Sequence, residues 1–518
     1  MSANRALRCD VLILGGGPAG AAAAIELSRL GHSVVLVETH RAAQHVPCQS
    51  LPPSALPLLD RLNVAEIITG VGCHSAPLEV HWGGLELAGQ ESSMSADAPA
   101  SSAGTSLLID RVAFDRVLRE RARTMGSTVP ERVQSVSLEA IDGRRDGGAD
   151  GQGGAWVATL TGPGPEIDVR ARIAIIATGR RSSLGGQRHR RGPATLAVAG
   201  LWRNPGGAAW SVCEAGAHAW YWAGALPDGR ASVIAMVDPR SPLFSRHMTL
   251  EMSYMELIAG SKIIRARLHG SLDPGVRATD ASRQMTSPVA SPICLRVGDA
   301  AVTLDPLSSQ GLVVALTSAI QGAIAAHTML LRPESTGAAI AFCEQRQREV
   351  IERDRHHASV YYTHQAAETP TAFWRTRATP VPPEPGPGNA PSSGRSIGGM
   401  HWIRLDPAAR LQPTPVLAAC FIEQRPALMH PALDRPIAFI GETPVSELLQ
   451  PLLANEAPAL GVAWPRPLRL AELMSRWHQL LPVGHATAFL DRLVALGILV
   501  GAGPDAVGSS LDPRAVAE

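Results

Sequence analysis

A chain of 518 residues is long enough for two or three domains, and with 45% hydrophobic residues it has the apolar material for a substantial core. Lys+Arg 47 against Asp+Glu 46 leaves a formal charge of +1, so no overall field draws in a polyanion or an anionic membrane, and nucleic-acid binding is disfavoured. The seven cysteines (Cys9, Cys48, Cys73, Cys213, Cys294, Cys343, Cys420) lie far apart, with no CxxC and no metal-ligand spacing, which predicts unpaired thiols in a reducing cytoplasm and no metal.

The N-terminus carries no basic region, apolar run and cleavage site of the secretory kind, and the expected location is cytoplasmic. Two apolar stretches, Val11 to Leu30 and Gly311 to Leu331, are interrupted by glycines, Glu26 and Arg29 in the first and by Gln321 and His327 in the second. They read as buried elements of an α/β core rather than membrane spans.

Cys9 to Leu14 reads as a strand, Ala19 to Leu30 as a helix and Ser33 to Val37 as a second strand, a βαβ unit that implies a parallel sheet. The turn between them is Gly15-Gly16-Gly17-Pro18-Ala19-Gly20. Gly15 permits the tight turn, Gly17 lets a pyrophosphate approach the backbone, and Gly20 packs helix on strand. The helix start at Ala19 offers unpaired N–H groups to an anion. Glu38 closes the second strand, where a carboxylate accepts hydrogen bonds from an adenosine ribose and repels a 2′-phosphate. These residues predict dinucleotide binding without choosing between FAD and NAD.

Further on, Gln90 to Ser106 and Asp142 to Gly154 read as loops, Val112 to Met125 as a helix and Ala171 to Ala177 as a strand. Thr195 to Pro239 alternates with turn signals, as an antiparallel sheet does, and a substrate domain is expected at about 191–285 within a core of 1–335. Trp220 and Trp222 share one face of that sheet by period-two spacing, as core packing or as a pocket wall. A helical extension, 336–378, holds a helical region from Ala338 to about Arg375. There His356, His357 and His364 read as a solvated surface rather than a metal site. Residues 379–399, with Pro380 to Gly388, read as a linker.

The C-terminal module, 400–518, is expected to be a small α/β or winged-helix-like fold. Thr443-Pro444 reads as a cap with proline at the first helical position. Leu470 to Leu480 and Gly484 to Leu496 read as paired helices, and Ile498 to Val500, after Gly497, as a strand. Arg469, Arg476 and Arg492 face Glu472 and Asp491, so there is no basic stripe. Leu473, Trp477, Leu480, Phe489, Leu493 and Leu496 read as module core before a binding face.

The segments Val297-Gly298-Asp299-Ala300-Ala301 and Leu304-Asp305-Pro306-Leu307-Ser308-Ser309-Gln310-Gly311-Leu312 resemble those of the group A flavoprotein monooxygenase and flavin-dependent halogenase superfamily. The resemblance implies FAD, held by a Rossmann-like domain of the glutathione-reductase type. Asp299 would bind the ribityl chain, and the loop from Pro306 to Gly311 and Leu312 would present a helix N-terminus to the flavin pyrimidine edge, where it favours the negative charge of reduced flavin. Leu108 to Asp115 resembles the family segment whose arginine, here Arg111, reaches the cofactor. Ala177-Thr178-Gly179 resembles the second dinucleotide turn, with Gly179 against FAD. On the residues alone, Arg111 also reads as a helix-capping ion pair and Ala177 to Gly179 as a plain turn.

With FAD accepted, the reactions open are hydroxylation through a flavin hydroperoxide, halogenation, and oxidase or dehydrogenase chemistry; a flavoprotein acting only as a binding subunit is the non-catalytic reading. Flavin halogenases carry a lysine after the segment matched here by Ser50-Leu51-Pro52-Pro53, and this chain has none between Pro53 and Asp110, Lys262 being its only lysine. Trp220-Tyr221-Trp222 keeps the two tryptophans of the second halogenase hallmark, but its proline, Pro227, is displaced. NAD(P)H-using hydroxylases carry Asp-Gly where this chain has Thr178-Gly179, which points to a separate flavin reductase or another donor before direct NAD(P)H use. Within the superfamily the chain resembles flavoproteins of tryptophylquinone cofactor biogenesis, on Cys48-Gln49-Ser50-Leu51-Pro52-Pro53, Asp305 to Leu312, Tyr361-Tyr362 and Phe373-Trp374-Arg375. Those proteins often carry glycine and glutamate where Cys48 and Gln49 stand. The resemblance implies an indole substrate, the tryptophan side chain of a peptide or protein, or another aromatic small molecule. Trp220, Trp222 and Gln310 are the substrate-pocket candidates.

Overall fold

The computed structural model describes residues 5–39, 48–70, 72–83, 85–88, 105–140, 156–181, 186–244, 247–378, 401–433, 435–453 and 467–502. The loop expected over Asp142 to Gly154 and the linker at 379–399 lie outside these residues. So does Gln90 to Gly104, while Thr105 and Ser106 open a strand. The chain divides into two compact units, Met1–Val381 and Pro382–Glu518.

In the first unit, strand Arg5–Leu14 (β1), helix Pro18–Arg29 (α1) and strand Val34–Val37 (β2) form the expected βαβ unit. Strand Ile167–Ile176 (β3) runs parallel to β1 on its other side, and Cys294–Arg296 (β4) runs parallel beyond β3. Val11 to Leu14, Val34 to Val37 and Ile173 to Ile176 are all buried, the continuous apolar runs of parallel strands covered on both faces. Ala21 to Ala24 of α1 are fully buried, their small side chains letting the helix lie close to its neighbours.

Helix Arg111–Thr124 (α2) packs on α1, as does helix Gly311–Leu331 (α3). The direction of α3 follows from its contacts. Ser318 Oγ accepts from Gly298 N at 2.8 Å, just past the C-terminal end of β4, whereas His327 Nδ1 lies 2.8 Å from His32 Nε2, in the turn before β2 at the opposite edge of the sheet. The N-terminus of α3 therefore stands at the same edge as the glycine turn. Although α3 is long and apolar enough to cross a membrane by composition, 72% of its most apolar window is buried within the protein.

The second large sheet has ten strands, with Leu196–Arg203, Trp210–Ala215, Ala219–Ala225 and Arg230–Val237 at its centre. It is wider than the stretch 191–285, because Cys48–Leu51, Cys73–Trp82, Leu85–Ala88 and Thr105–Asp110 extend it. It is also not wholly antiparallel, since Trp210–Ala215 pairs parallel to Cys73–Trp82. One face, with Val198, Trp202, Tyr221 and Val233, packs against Tyr254, Leu257 and Ile258 of a short helix. The opposite face, with Trp82, Trp220, Trp222 and Met236, is covered by Ala358 and Tyr362 of helix Thr336–Glu368 (α4) and by Phe373 and Trp374 of helix Ala372–Arg377 (α5). The helical region expected from Ala338 to Arg375 is thus two helices, broken at Pro370, whose ring cannot continue the backbone ladder.

In the second unit, Trp402–Leu405 pairs with Leu468–Arg469 and Leu499–Gly501, and a separate hairpin joins Arg410–Ala418 to Phe421–Met429. Helices Val445–Leu449 (α6), Leu470–Leu480 (α7) and Val483–Ala495 (α8) surround a core containing Leu473, Trp477, Phe489, Leu493 and Leu496. Leu480, expected there, is 44% exposed at the end of α7. Thr443–Pro444 is a short strand against Phe439–Ile440, and Pro444 precedes α6 instead of opening it.

Candidate functional site: a dinucleotide cradle at one edge of the parallel sheet

Three loops leave the C-terminal ends of adjacent parallel strands, Gly15 to Gly17 after β1, Ala177 to Arg181 after β3 and Val297 to Ala301 after β4. This edge is where open α/β sheets place their ligands. In the first loop Gly15 has φ +107, and a Cβ there would collide with the Ala177 carbonyl; a Cβ on Gly20 would collide with the Gly15 carbonyl. Both positions therefore demand glycine for packing. Gly17 differs, because a Cβ there would meet nothing within 4 Å, and the same holds at Gly179 and Gly311. Open space in front of three glycines, at the starts of α1 and α3 and on the turn between them, is the cradle a bound pyrophosphate and flavin would fill. The residues present fit FAD. Ala19, in the first turn of α1, packs its Cβ toward Gly298, which brings the first and third loops together.

Gly16 is held on both sides. Its N–H donates to Glu38 Oε2, while its carbonyl accepts from Arg119 Nη1 at 3.1 Å. Glu38 thus stands beside the glycine turn. Arg119 escaped the sequence reading, although the spacing Arg111, Asp115, Arg119 places all three on one stripe of α2.

Asp110 starts α2 by accepting from Val112 N at 2.9 Å and Ala113 N at 3.1 Å. Arg111 then pairs with Asp115 at 2.8 Å and donates to Gln49 Oε1 at 2.7 Å. The ion-pair reading of Arg111 is present in that arrangement, and the guanidinium is also tied to the Cys48–Leu51 strand through Gln49. Asp299 accepts from Arg180 Nε at 3.0 Å. Arg180 also donates to the Asp280 carbonyl at 3.0 Å, and Arg188 donates to the Asp299 carbonyl at 2.8 Å, so these arginines join the second and third loops to the substrate sheet.

Asp305 caps the turn Pro306–Ser308 through Leu307 N at 3.1 Å, Ser309 turns the chain with φ +53, and Gln310 is the last residue before α3, where Gly311 and Leu312 begin the helix. Leu307 packs on the aromatic face of the substrate sheet. Trp220 is buried in that face beside Trp82, their ring centroids 6.2 Å apart, and its Nε1 has no hydrogen-bond partner; Trp222 is less buried and reaches toward Cys48. The two tryptophans share a face, whereas Gln310 belongs to the α3 start. Burial pushes the Cys48 and Cys213 thiols up to about 12, which keeps them protonated and unreactive. His356, His357 and His364 lie along α4, and among the described residues no cluster of histidine, cysteine and carboxylate could hold a metal.

A parallel-sheet domain with a glycine turn, a carboxylate beside it and a helix start converging at one sheet edge is that of an FAD-dependent oxidoreductase. The chain belongs to the family described as FAD binding domain, which matches residues 8–330. It is 25% identical over 352 residues to the tryptophan 2-halogenase of Chondromyces crocatus, a match spanning 65% of this chain and 64% of that protein, just under two thirds of its length. The peptidyl tryptophan dihydroxylase QhpG, essential for tryptophylquinone cofactor biogenesis, has a similar structure, with a TM-score of 0.68, 24% identity and coverage of 95% of this chain and 99% of that one. The flavin-dependent halogenase CmlS has a TM-score of 0.72 at 21% identity, with 96% of each chain covered.

Proposed function

We propose that this protein is an FAD-dependent monooxygenase that hydroxylates an electron-rich aromatic ring, the indole of a tryptophan side chain in a peptide or protein. Bound FAD, once reduced, supplies the oxygen-activating chemistry. Gly311 and Leu312 at the α3 start and Gly179 in the second loop would hold the flavin, and the aromatic face of the substrate sheet, with Leu307, would help to exclude water from the site. A separate flavin reductase or NAD(P)H supplies electrons, and the reaction takes place in the cytoplasm.

The observation that carries hydroxylation over halogenation is the missing lysine. Lys262 is exposed at the start of a short helix of the substrate domain, where its backbone N–H donates to Glu214 at 2.6 Å, far in sequence from the Pro53 to Asp110 segment in which halogenases carry theirs. Halogenation is the second reading, favoured by the tryptophan 2-halogenase match. Incubating the holoenzyme with a flavin reductase, oxygen and bromide, and with free tryptophan or tryptophan-containing peptides, separates the two by product mass. The proposal expects a product heavier by oxygen and none carrying bromine; a brominated indole overturns it.

A further inference from the structure

The loop that carries α3 to the cofactor edge is held from behind by a buried polar network on α4. Asp305, 8% exposed, is held at its N–H, its carbonyl and its carboxylate. Its N–H donates to Asp354 Oδ2 at 3.0 Å, and its Oδ1 accepts from Leu307 N at 3.1 Å and from the Tyr362 hydroxyl at 2.9 Å. Asp354 is in turn bound by Arg283 Nε at 2.6 Å, and Arg283 Nη2 lies 3.7 Å from Asp305 Oδ2. Arg283, Asp354 and Tyr362 are 6%, 4% and 3% exposed.

Asp354 and Tyr362 stand two helical turns apart on one face of α4, which aims both at the same loop. Burial and the neighbouring Asp305 charge hold the Tyr362 hydroxyl well above its ordinary pKa, so it remains a donor. A buried network of charges is a poor source of stability but an effective way to specify one geometry, because a displaced loop breaks the hydrogen bonds that Asp305 makes to Asp354 and Tyr362. The geometry specified here is that of the α3 start, whose first turn carries no acidic residue and whose preceding residue, Gln310, makes no side-chain cap. The positive end of a long helix is thereby left for the ligand at the cofactor edge.

We propose that Tyr362 and Asp354 are positioning residues for the flavin: from the buried side of the loop they fix Asp305 to Gly311 and so set how closely the N-terminus of α3 approaches the isoalloxazine. The inference rests on FAD as cofactor and not on the aromatic substrate, so it stands or falls independently of hydroxylation.

The test is the midpoint potential of the bound flavin and the dissociation constant for FAD in the purified full-length protein, for wild type, Tyr362→Phe and the isosteric Asp354→Asn. Tyr362→Phe is expected to move the potential to more negative values and to weaken FAD binding about tenfold, the effect of one hydrogen bond to a charged group. Asp354→Asn is expected to shift both in the same sense. A variant that no longer retains FAD but keeps its circular dichroism carries the same conclusion. An unchanged potential in either variant that folds and binds FAD, even with a lowered Tm, overturns the proposal, because a merely structural contact would change the melt alone.

Discussion

Arg180 Nε donates to Asp299 Oδ2 at 3.0 Å, and this bond joins the turn after β3 to the segment after β4 across the cofactor edge. The carboxylate expected to meet the ribityl chain is therefore already oriented by a guanidinium that also reaches the Asp280 carbonyl. Asp299→Ala removes both the expected ribityl acceptor and the tie. A hydrogen bond to a charged group is worth about 1.5–3 kcal/mol, so FAD affinity should fall about ten- to a hundredfold. Titration of apoprotein with FAD, followed by flavin fluorescence, checks this; an unchanged dissociation constant would remove Asp299 from the site.

The glycine turn predicts two opposite phenotypes. Gly17→Leu projects into open space, so the apoprotein should melt as wild type while failing to retain FAD. Gly20→Ala drives a methyl into the Gly15 carbonyl, and the overpacking should cost about 1–3 kcal/mol of stability whether or not FAD is present. Stoichiometric FAD on the Gly17 variant would mean that the pyrophosphate lies elsewhere.

Unit 2 has its own core, and its deletion tests what it does. Removing residues 389–518 should leave FAD bound to the first unit and sharply weaken capture of a tryptophan-containing peptide substrate. Equal turnover of the same peptide by the truncated enzyme would leave the module without a role in recognition, and loss of FAD would make it part of the flavin core.

Stability should depend on pH through the His32–His327 pair, whose ring nitrogens Nε2 and Nδ1 lie 2.8 Å apart. Burial holds both imidazoles below the ordinary 6.5, with Asp10 opposing the shift at His32 and the neighbouring His32 and Arg332 adding to it at His327. The unfolded chain thus takes up protons at a higher pH than the folded one. The pair's contribution is complete above pH 6.5 and is lost as pH falls through the lowered folded values. Thermal melts from about pH 7.5 to about pH 5 should show a falling Tm that flattens in His327→Gln; parallel profiles for the two proteins would contradict the assignment.

Much of the cofactor domain was legible in the sequence because its signals are local. Gly15 to Gly20, the flanking apolar runs and Glu38 lie within one βαβ unit, and the Asp305 to Leu312 segment carries its own turn and helix start. What escaped depends on distant contacts. Tyr362 meets Asp305 across 57 positions and Arg119 meets Gly16 across 103. Helical spacing puts Arg119 on the stripe of Arg111 and Asp115, but nothing in a single sequence names the distant partner of Arg119 or of Tyr362. The same is true of the substrate sheet, where Cys48–Leu51 and Cys73–Trp82 join strands far along the chain and the alternation of the Cys73–Trp82 strand is blurred by partial burial on both faces. Pro444 misled by a single position, because a proline that ends a strand looks like one that opens a helix.

As proposed, this protein transfers an oxygen atom from dioxygen to an aromatic ring. The most direct test of that transfer is turnover of a tryptophan-containing peptide by the holoenzyme and a flavin reductase under isotopically labelled oxygen gas in ordinary water, with mass spectrometry of the modified indole. Heavy oxygen is expected on the ring in every hydroxylated product; oxygen drawn from water, or consumption of dioxygen to hydrogen peroxide with the peptide unchanged, would overturn the assignment.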